Sequence, residues 1–213
     1  MKNLNKYIDH TILKPFAKKE DIKILCEDAK KYDFASVCIN PCHIKYAKEL
    51  LEGSSVNVCT VIGFPLGANR TETKVFETEL AYEDGCEEFD MVINVGALKD
   101  KNYDFVREDI AAVVKAAKGK CVKVIIETGL LTDEEIAVST RLSCEAGAHF
   151  VKTCTGFSDG IAEVKDVKIM KENITGDVKI KASAGIKTKE HALALIEAGA
   201  ERLGTSSGKS IIE

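Results

Sequence analysis

The chain has 213 residues, 45% apolar and 30% charged, with a formal net charge of -4, which is ordinary globular composition and enough for one sizeable core. No run of five or six like charges occurs, so neither nucleic acid nor an anionic membrane finds the basic stripe it needs. No apolar stretch approaches the roughly 18 residues of a membrane-spanning helix, and Met1–Lys6 lacks a signal peptide's apolar core, so a cytoplasmic protein is expected.

From the N-terminus, one unit recurs: a short apolar run, a polar or glycine-bearing loop, then an amphipathic helix. Strands are expected at Tyr7–Leu13, Ala35–Asn40, Val56–Gly63, Phe89–Asn94, Val122–Thr128, Phe150–Thr153, Val178–Ala182 and Arg202–Gly204. Between them, helical spacing covers Glu20–Tyr32, His43–Leu51, Arg70–Asp84, Phe105–Ala117, Thr132–Ala146, Glu163–Glu172 and Thr188–Ala198. Thr132-Asp133-Glu134-Glu135 has the polar start and early acids of a helix N-terminus. No linker or low-complexity segment divides the chain, so 1–213 reads as one domain.

Eight strands alternating with helices, about 27 residues per unit, predict an α/β fold of the (β/α)8 TIM-barrel class. An open doubly wound sheet is the competitor, but the G-x-G-x-x-G fingerprint it often carries is absent. Gly85, Gly147 and Gly199 close helices, and five residues beyond each stand Asp90, Lys152 and Gly204; Gly176 precedes Lys181 by the same count. Equal spacing predicts that these four residues lie at similar heights, toward the strand ends where such barrels build their sites.

Lys152, in Phe150-Val151-Lys152-Thr153, and Lys181, in Ile180-Lys181-Ala182, interrupt runs that read as buried. Burial strips an ammonium of water and favours the neutral, nucleophilic amine, and a second ammonium adds to the effect. A neutral lysine is what imine formation with a carbonyl substrate requires. Lys179 shares the parity of Lys181, which leaves one of the two as an ordinary lysine nearer the barrel's bottom or rim; position toward the strand's C-terminal end favours Lys181 as the site residue. Asp90, inside Phe89-Asp90-Met91-Val92, either neutralises a buried lysine or shuttles protons beside it.

Gly204-Thr205-Ser206-Ser207-Gly208 follows the eighth strand and Ala184-Gly185-Ile186-Lys187 the seventh, the two loops that recurrently hold phosphate in this barrel. Alone, T-S-S-G is a weak signal; its place after the last strand strengthens it. Asp9 and Thr11 are expected to face the same opening and hold substrate hydroxyls, unless they cap a helix or satisfy the core. His10, His43, His149 and His191 form no H-x-H or H-E-x-x-H pattern, so no metal or cofactor is expected. The eight cysteines are scattered, with no C-x-x-C pair, and read as free thiols of a reducing compartment.

The motifs Asp9-His10-Thr11, Val61-Ile62-Gly63-Phe64-Pro65-Leu66-Gly67, Asp90-Met91-Val92-Ile93-Asn94, Val124-Ile125-Ile126-Glu127-Thr128, Lys152-Thr153-Cys154-Thr155-Gly156-Phe157 and Lys181-Ala182-Ser183-Ala184-Gly185, with Gly204-Thr205-Ser206-Ser207, together resemble the deoxyribose-phosphate aldolase family from about Tyr7 to Ile212. That resemblance implies Lys152 as Schiff-base lysine, Lys181 as the lysine that perturbs it and Asp90 as partner in proton relay. It implies Thr155, Gly156, Gly185, Gly204, Ser206 and Ser207 as substrate or phosphate ligands, with Lys187 where the family has a basic residue. It also implies a homo-oligomer, dimer or tetramer, acting on small phosphosugars and aldehydes. Two positions depart from the family's pattern: Cys154 stands where serine is usual and Ala184 where glycine is usual, the latter expected to weaken phosphate binding somewhat.

The implied reaction is reversible cleavage of 2-deoxy-D-ribose 5-phosphate to acetaldehyde and D-glyceraldehyde 3-phosphate. Two rivals stand beside it: another imine-forming phosphosugar aldolase or transaldolase, and a catalytically silent phosphosugar-binding barrel. The silent barrel predicts loss of Lys152, Lys181 or Asp90, and all three are present.

Overall fold

The computed structural model describes residues 4–213. The strands are β1 (Ile8–Ile12), β2 (Ser36–Ile39), β3 (Asn57–Ile62), β4 (Glu88–Val92), β5 (Cys121–Ile125), β6 (Phe150–Lys152), β7 (Lys179–Ser183) and β8 (Arg202–Thr205). Each pairs in parallel with the next, and β8 returns to β1, so the sheet is a closed barrel rather than an open one. Around it run α1 (Lys19–Tyr32), α2 (Ile44–Leu50), α3 (Thr71–Glu83), α4 (Val95–Lys99), α5 (Tyr103–Ala116), α6 (Asp133–Glu145), α7 (Val164–Asn173), α8 (Lys189–Ala198) and α9 (Gly208–Ile212). Periodicity does not reveal α4 and α9, because five residues are too few to draw an apolar stripe. The Asn94 side chain starts α4 by accepting from the Ala97 N–H at 3.0 Å. At α6 the expected capping box is formed: Thr132 accepts from the Glu135 N–H, and Glu135 accepts from the Thr132 N–H at 2.8 Å.

Alternation along the strands separates two environments. Outward residues such as Val58, Met91, Val122 and Leu203 are buried in one apolar cluster with Ile22, Ile110, Val113 and Leu195 of the helices. One ion pair interrupts this layer: Lys74 of α3 lies fully buried 2.6 Å from Asp109 of α5 and donates to the Val92 carbonyl at 3.0 Å. Inward residues fall into two groups. Leu13, Cys38, Cys59 and Val61 form a small apolar cluster by β1–β3, joined by Phe64, and Asp9 of β1 joins the charged side chains that β4–β8 turn inward.

Gly85, Gly147, Gly176 and Gly199 all adopt positive φ before their strands, as the cap spacing predicts. The expected common height holds: keeping one height in this tilted barrel takes one residue of register per strand, which sets Asp90, Lys152 and Gly204, on the alternate strands β4, β6 and β8, in one layer and Lys181 one residue from it. Lys152 is the direct register partner of Lys181, whereas Asp90 pairs with Lys123 and Gly204 with Ser183. The stagger of the closed barrel sets Lys123 and Lys181 one residue toward the N-terminal side of that layer, where both side chains reach Asp90.

Candidate active site

Lys152 Nζ donates to Asp90 Oδ2 at 2.8 Å, and Lys181 Nζ donates to the same oxygen at 2.7 Å. Lys181 also lies 2.5 Å from Asp9 Oδ2. Lys123, from the middle of β5, donates to Asp90 Oδ1 at 2.9 Å and pairs with Glu88 at 2.6 Å. Arg202 closes the ring with contacts of 2.7 Å to Asp9 and 3.1 Å to Glu88. Three carboxylates, Asp9, Glu88 and Asp90, thus face four basic groups, Lys123, Lys152, Lys181 and Arg202. Lys152 is the member of this cluster that lines the cavity.

The network reverses one expectation. Burial acts to lower the pKa of Lys181, but the Asp9 and Asp90 carboxylates outweigh it and hold the ammonium well above its ordinary value. Lys123 is raised for the same reason, burial again being outweighed by Asp90 and its other anionic neighbours. Burial would likewise push Asp90 up, yet Lys123, Lys152 and Lys181 keep it well below the usual carboxylate range. Asp9 is depressed too, with Lys181, Arg202 and Lys123 overriding burial. Lys181 is therefore a fixed positive charge. Lys179, the alternative at that strand, is exposed.

A cavity of about 480 Å³ opens above Lys152 at the C-terminal ends of the strands. Of the residues expected to bind substrate, Thr11, Thr155, Gly156, Gly185, Lys187, Gly204 and Ser206 line it. Asp9 does not. It is fully buried behind the wall, bonded to Ser36 at 2.7 Å and to Lys181 and Arg202, so it belongs to the charge network rather than the opening. Ser207 also stands off the cavity, its N–H donating to the Thr205 hydroxyl at 2.9 Å. Thr11 lines the cavity while its hydroxyl donates to the Asp9 carbonyl at 2.9 Å. Gly204 is required by close approach, since a β-carbon there would lie 3.0 Å from Lys181 Cε and 2.9 Å from Ser183 Cβ.

Both departures from the family's pattern have visible consequences. Ala184 has φ +81°, the left-handed region that favours glycine, so its methyl strains the loop after β7. Cys154 is buried beside the Thr128 hydroxyl at 3.3 Å, where a second hydroxyl would also fit the available partners.

Sequence reasoning missed Lys123, although Val122-Lys123-Val124-Ile125 interrupts an apolar run just as Lys152 does. It also missed Glu88 and Arg202, which open their strands and so sit outside the apolar runs, and Lys14, which joins Lys187 at the cavity mouth. Cys38, Cys59 and Asp90 bring three potential metal-ligand atoms within 4.8 Å of one another, but Lys123 Nζ lies 3.3 Å from Cys59 Sγ and would oppose a cation there. All eight cysteines are free thiols.

A family model described as DeoC/LacD family aldolase matches residues 4–213. The chain belongs to that family. It is 59% identical over 212 residues to the deoxyribose-phosphate aldolase of Clostridium novyi (strain NT), covering 99% of this chain and 96% of the relative. Its identity to the deoxyribose-phosphate aldolase of Finegoldia magna is 57% over 210 residues, covering 99% of each. Among solved structures, the tetrameric deoxyribose phosphate aldolase from Aeropyrum pernix matches with a TM-score of 0.91 at 32% identity, over 98% of this chain and 89% of that one. As in other aldolases of the family, the fold is an eight-stranded parallel barrel. Among the described residues, no helix is long and apolar enough to cross a membrane.

Proposed function

We propose that this DeoC/LacD family aldolase cleaves 2-deoxy-D-ribose 5-phosphate reversibly to acetaldehyde and D-glyceraldehyde 3-phosphate through an imine on Lys152. The observation that carries the reading is the place of Lys152, 2.8 Å from Asp90 and the one member of the charged cluster at the cavity wall. Lys152 is the amine a carbonyl substrate reaches, while Lys123 and Lys181 lie fully buried among the carboxylates.

Lys152 attacks the aldehyde carbon, and loss of water gives a protonated imine. The bond between the second and third carbons then breaks, its electron pair flowing into the imine as a base takes the proton of the third-carbon hydroxyl. The resulting enamine regains a proton at the second carbon, and hydrolysis frees acetaldehyde and the amine. The hydrogen bond between Lys152 and Asp90 supplies a route for these protons, with Lys181 holding Asp90 in place. At the mouth, Lys14 and Lys187 offer positive charge, and Gly185, Gly204 and Ser206 allow close approach to the phosphate of the sugar. The high identity to named deoxyribose-phosphate aldolases supports the substrate. Assembly into a homo-oligomer and a cytoplasmic location complete the reading, the former supported by the tetrameric relative.

The test is synthesis. Purified protein with a chelator, acetaldehyde and D-glyceraldehyde 3-phosphate should form deoxyribose 5-phosphate, whereas dihydroxyacetone as donor should give no product. Condensation with the ketone but not with acetaldehyde would assign the site to a transaldolase-like reaction.

A further inference from the structure

One carboxylate on this face takes no part in the chemistry above. Glu127 follows β5 in the left-handed region, with φ 58° and ψ 63°, a strained conformation for a residue with a β-carbon. Its buried carboxylate has partners that are all neutral donors on the loop after β6. It accepts the Thr155 O–H at 2.5 Å, the Thr155 N–H at 3.3 Å and the Ser158 O–H at 3.0 Å. The Thr155 oxygen in turn accepts the Phe157 N–H at 3.0 Å. Thr155 has one hydroxyl proton, and it is committed to Glu127.

The two loops are clasped elsewhere as well. The Thr128 N–H donates to the Thr153 carbonyl at 3.0 Å, and a β-carbon on Gly129 would lie 2.6 Å from Gly160 Cα. The clasped loop begins directly after Lys152, and its Thr155 and Gly156 form the cavity wall. Beside it stands the loop after the neighbouring β7, where a β-carbon on Gly156 would meet Ala184 at 3.6 Å.

We propose that Glu127 is the positioning residue of this wall: it fixes Thr155 and Gly156 before substrate arrives and keeps the Thr155 hydroxyl proton turned away from the sugar. The proposal rests on the reading of Lys152 and its cavity as the aldol site. A wall fixed in advance matters when the whole sugar must be oriented, and little when a two-carbon aldehyde meets the lysine. In Glu127→Gln, an amide NH₂ replaces one acceptor oxygen. The remaining carbonyl oxygen can then accept from only one of the Thr155 and Ser158 hydroxyls, and the other must turn its proton away from the NH₂.

The experiment compares Glu127→Gln, Thr155→Val and the double variant by kcat and KM on deoxyribose 5-phosphate, with borohydride trapping of acetaldehyde on each. Glu127→Gln should lose about tenfold or more in kcat/KM while keeping its melting temperature and stoichiometric trapping on Lys152. The double variant should be within about twofold of the worse single one, because both changes remove the same contact. A Glu127→Gln enzyme within about twofold of wild type, or fully additive losses, would overturn the proposal. So would loss of trapping in a folded Glu127→Gln variant, since the lysine itself would then depend on Glu127. Should Glu127→Gln fail to fold, Ser158→Ala decides: a loss of about two- to fivefold supports the clasp, and unchanged kinetics overturn it. Failure of the wild-type enzyme to form an imine on Lys152 would reject the aldol-site reading itself.

Discussion

Outside the barrel, Val58, Met91, Val122 and Leu203 meet the helices through apolar atoms; inside it, Asp9, Glu88, Asp90, Lys123, Lys152, Lys181 and Arg202 meet one another through charge. Both regions are buried, but they do different things with burial. Apolar contacts stabilise at roughly 25 cal/mol per Å² removed from water, so the outer layer holds the barrel and its helices together. A buried ionic cluster must first offset the desolvation of every charge, and well-packed hydrophobic replacements are often neutral or stabilising. The lumen network is therefore poorly explained by stability and well explained by the place in which it holds Lys152, beside Asp90 at the cavity wall. The Lys74–Asp109 pair is an internal control: the same ion types, equally buried, placed in the outer layer away from the cavity.

The largest effect expected from disturbing the lumen is that of Lys181→Leu. Removing this fixed charge takes away the ammonium that bridges Asp9 and Asp90 and shares an Asp90 oxygen with Lys152. Turnover near neutral pH should fall by orders of magnitude and recover toward alkaline pH. An unchanged pH–rate profile would make Lys181 merely structural.

In the outer layer, Lys74→Met should cost about 3–5 kcal/mol by stranding Asp109 as an unpaired buried charge. Its kcat per folded molecule should match wild type. Adding Asp109→Leu should recover most of the stability in denaturant titrations. A large fall in kcat for the folded Lys74→Met protein would erase the distinction between the two regions.

Acid should find the lumen first. Asp9 and Asp90 have folded-state pKa values held below the ordinary carboxylate range, because neighbouring cations outweigh burial. Their contribution is complete above about pH 4, where the unfolded chain's carboxylates are also ionised. Below that, the unfolded chain takes up protons that the folded one does not, and stability falls as pH drops toward the folded values. The raised Lys123 and Lys181 contribute fully below about pH 10.4 and lose that contribution only as pH rises through their folded values. Denaturation midpoints should fall steeply between about pH 4 and 3, and less steeply in Lys181→Leu. Equal acid slopes in the two proteins would argue against the coupling.

The smallest effect concerns the cavity rim. Ala184→Gly relieves a β-carbon at φ +81° and should raise stability by about 1 kcal/mol, read as a shift in melting temperature. A loss of stability would show that the methyl's packing outweighs its strain.

The barrel was legible because parallel strands, covered on both faces, read as short apolar runs, and every one of the eight expected strands forms. Lys152, Lys181 and Asp90 were legible as charges interrupting such runs. Glu88 and Arg202 were not, because a charged residue opening a strand looks the same as one ending a loop. Asp9 was expected at the opening and lies in the network, since β1 starts only at Ile8 and its inward side chains reach Lys181 before the cavity. Glu127 was hidden for another reason. Its left-handed backbone carries the carboxylate across to a loop about 30 residues further along the chain, and no periodicity encodes that turn.

Borohydride reduction in the presence of acetaldehyde, followed by peptide mass mapping, bears most directly on the claim that the charged lumen leaves one lysine free to react. A single ethyl group, stoichiometric and confined to Lys152, is the expected result. Ethylation of Lys181 or Lys123 instead, both assigned here as fixed ammoniums, would contradict it.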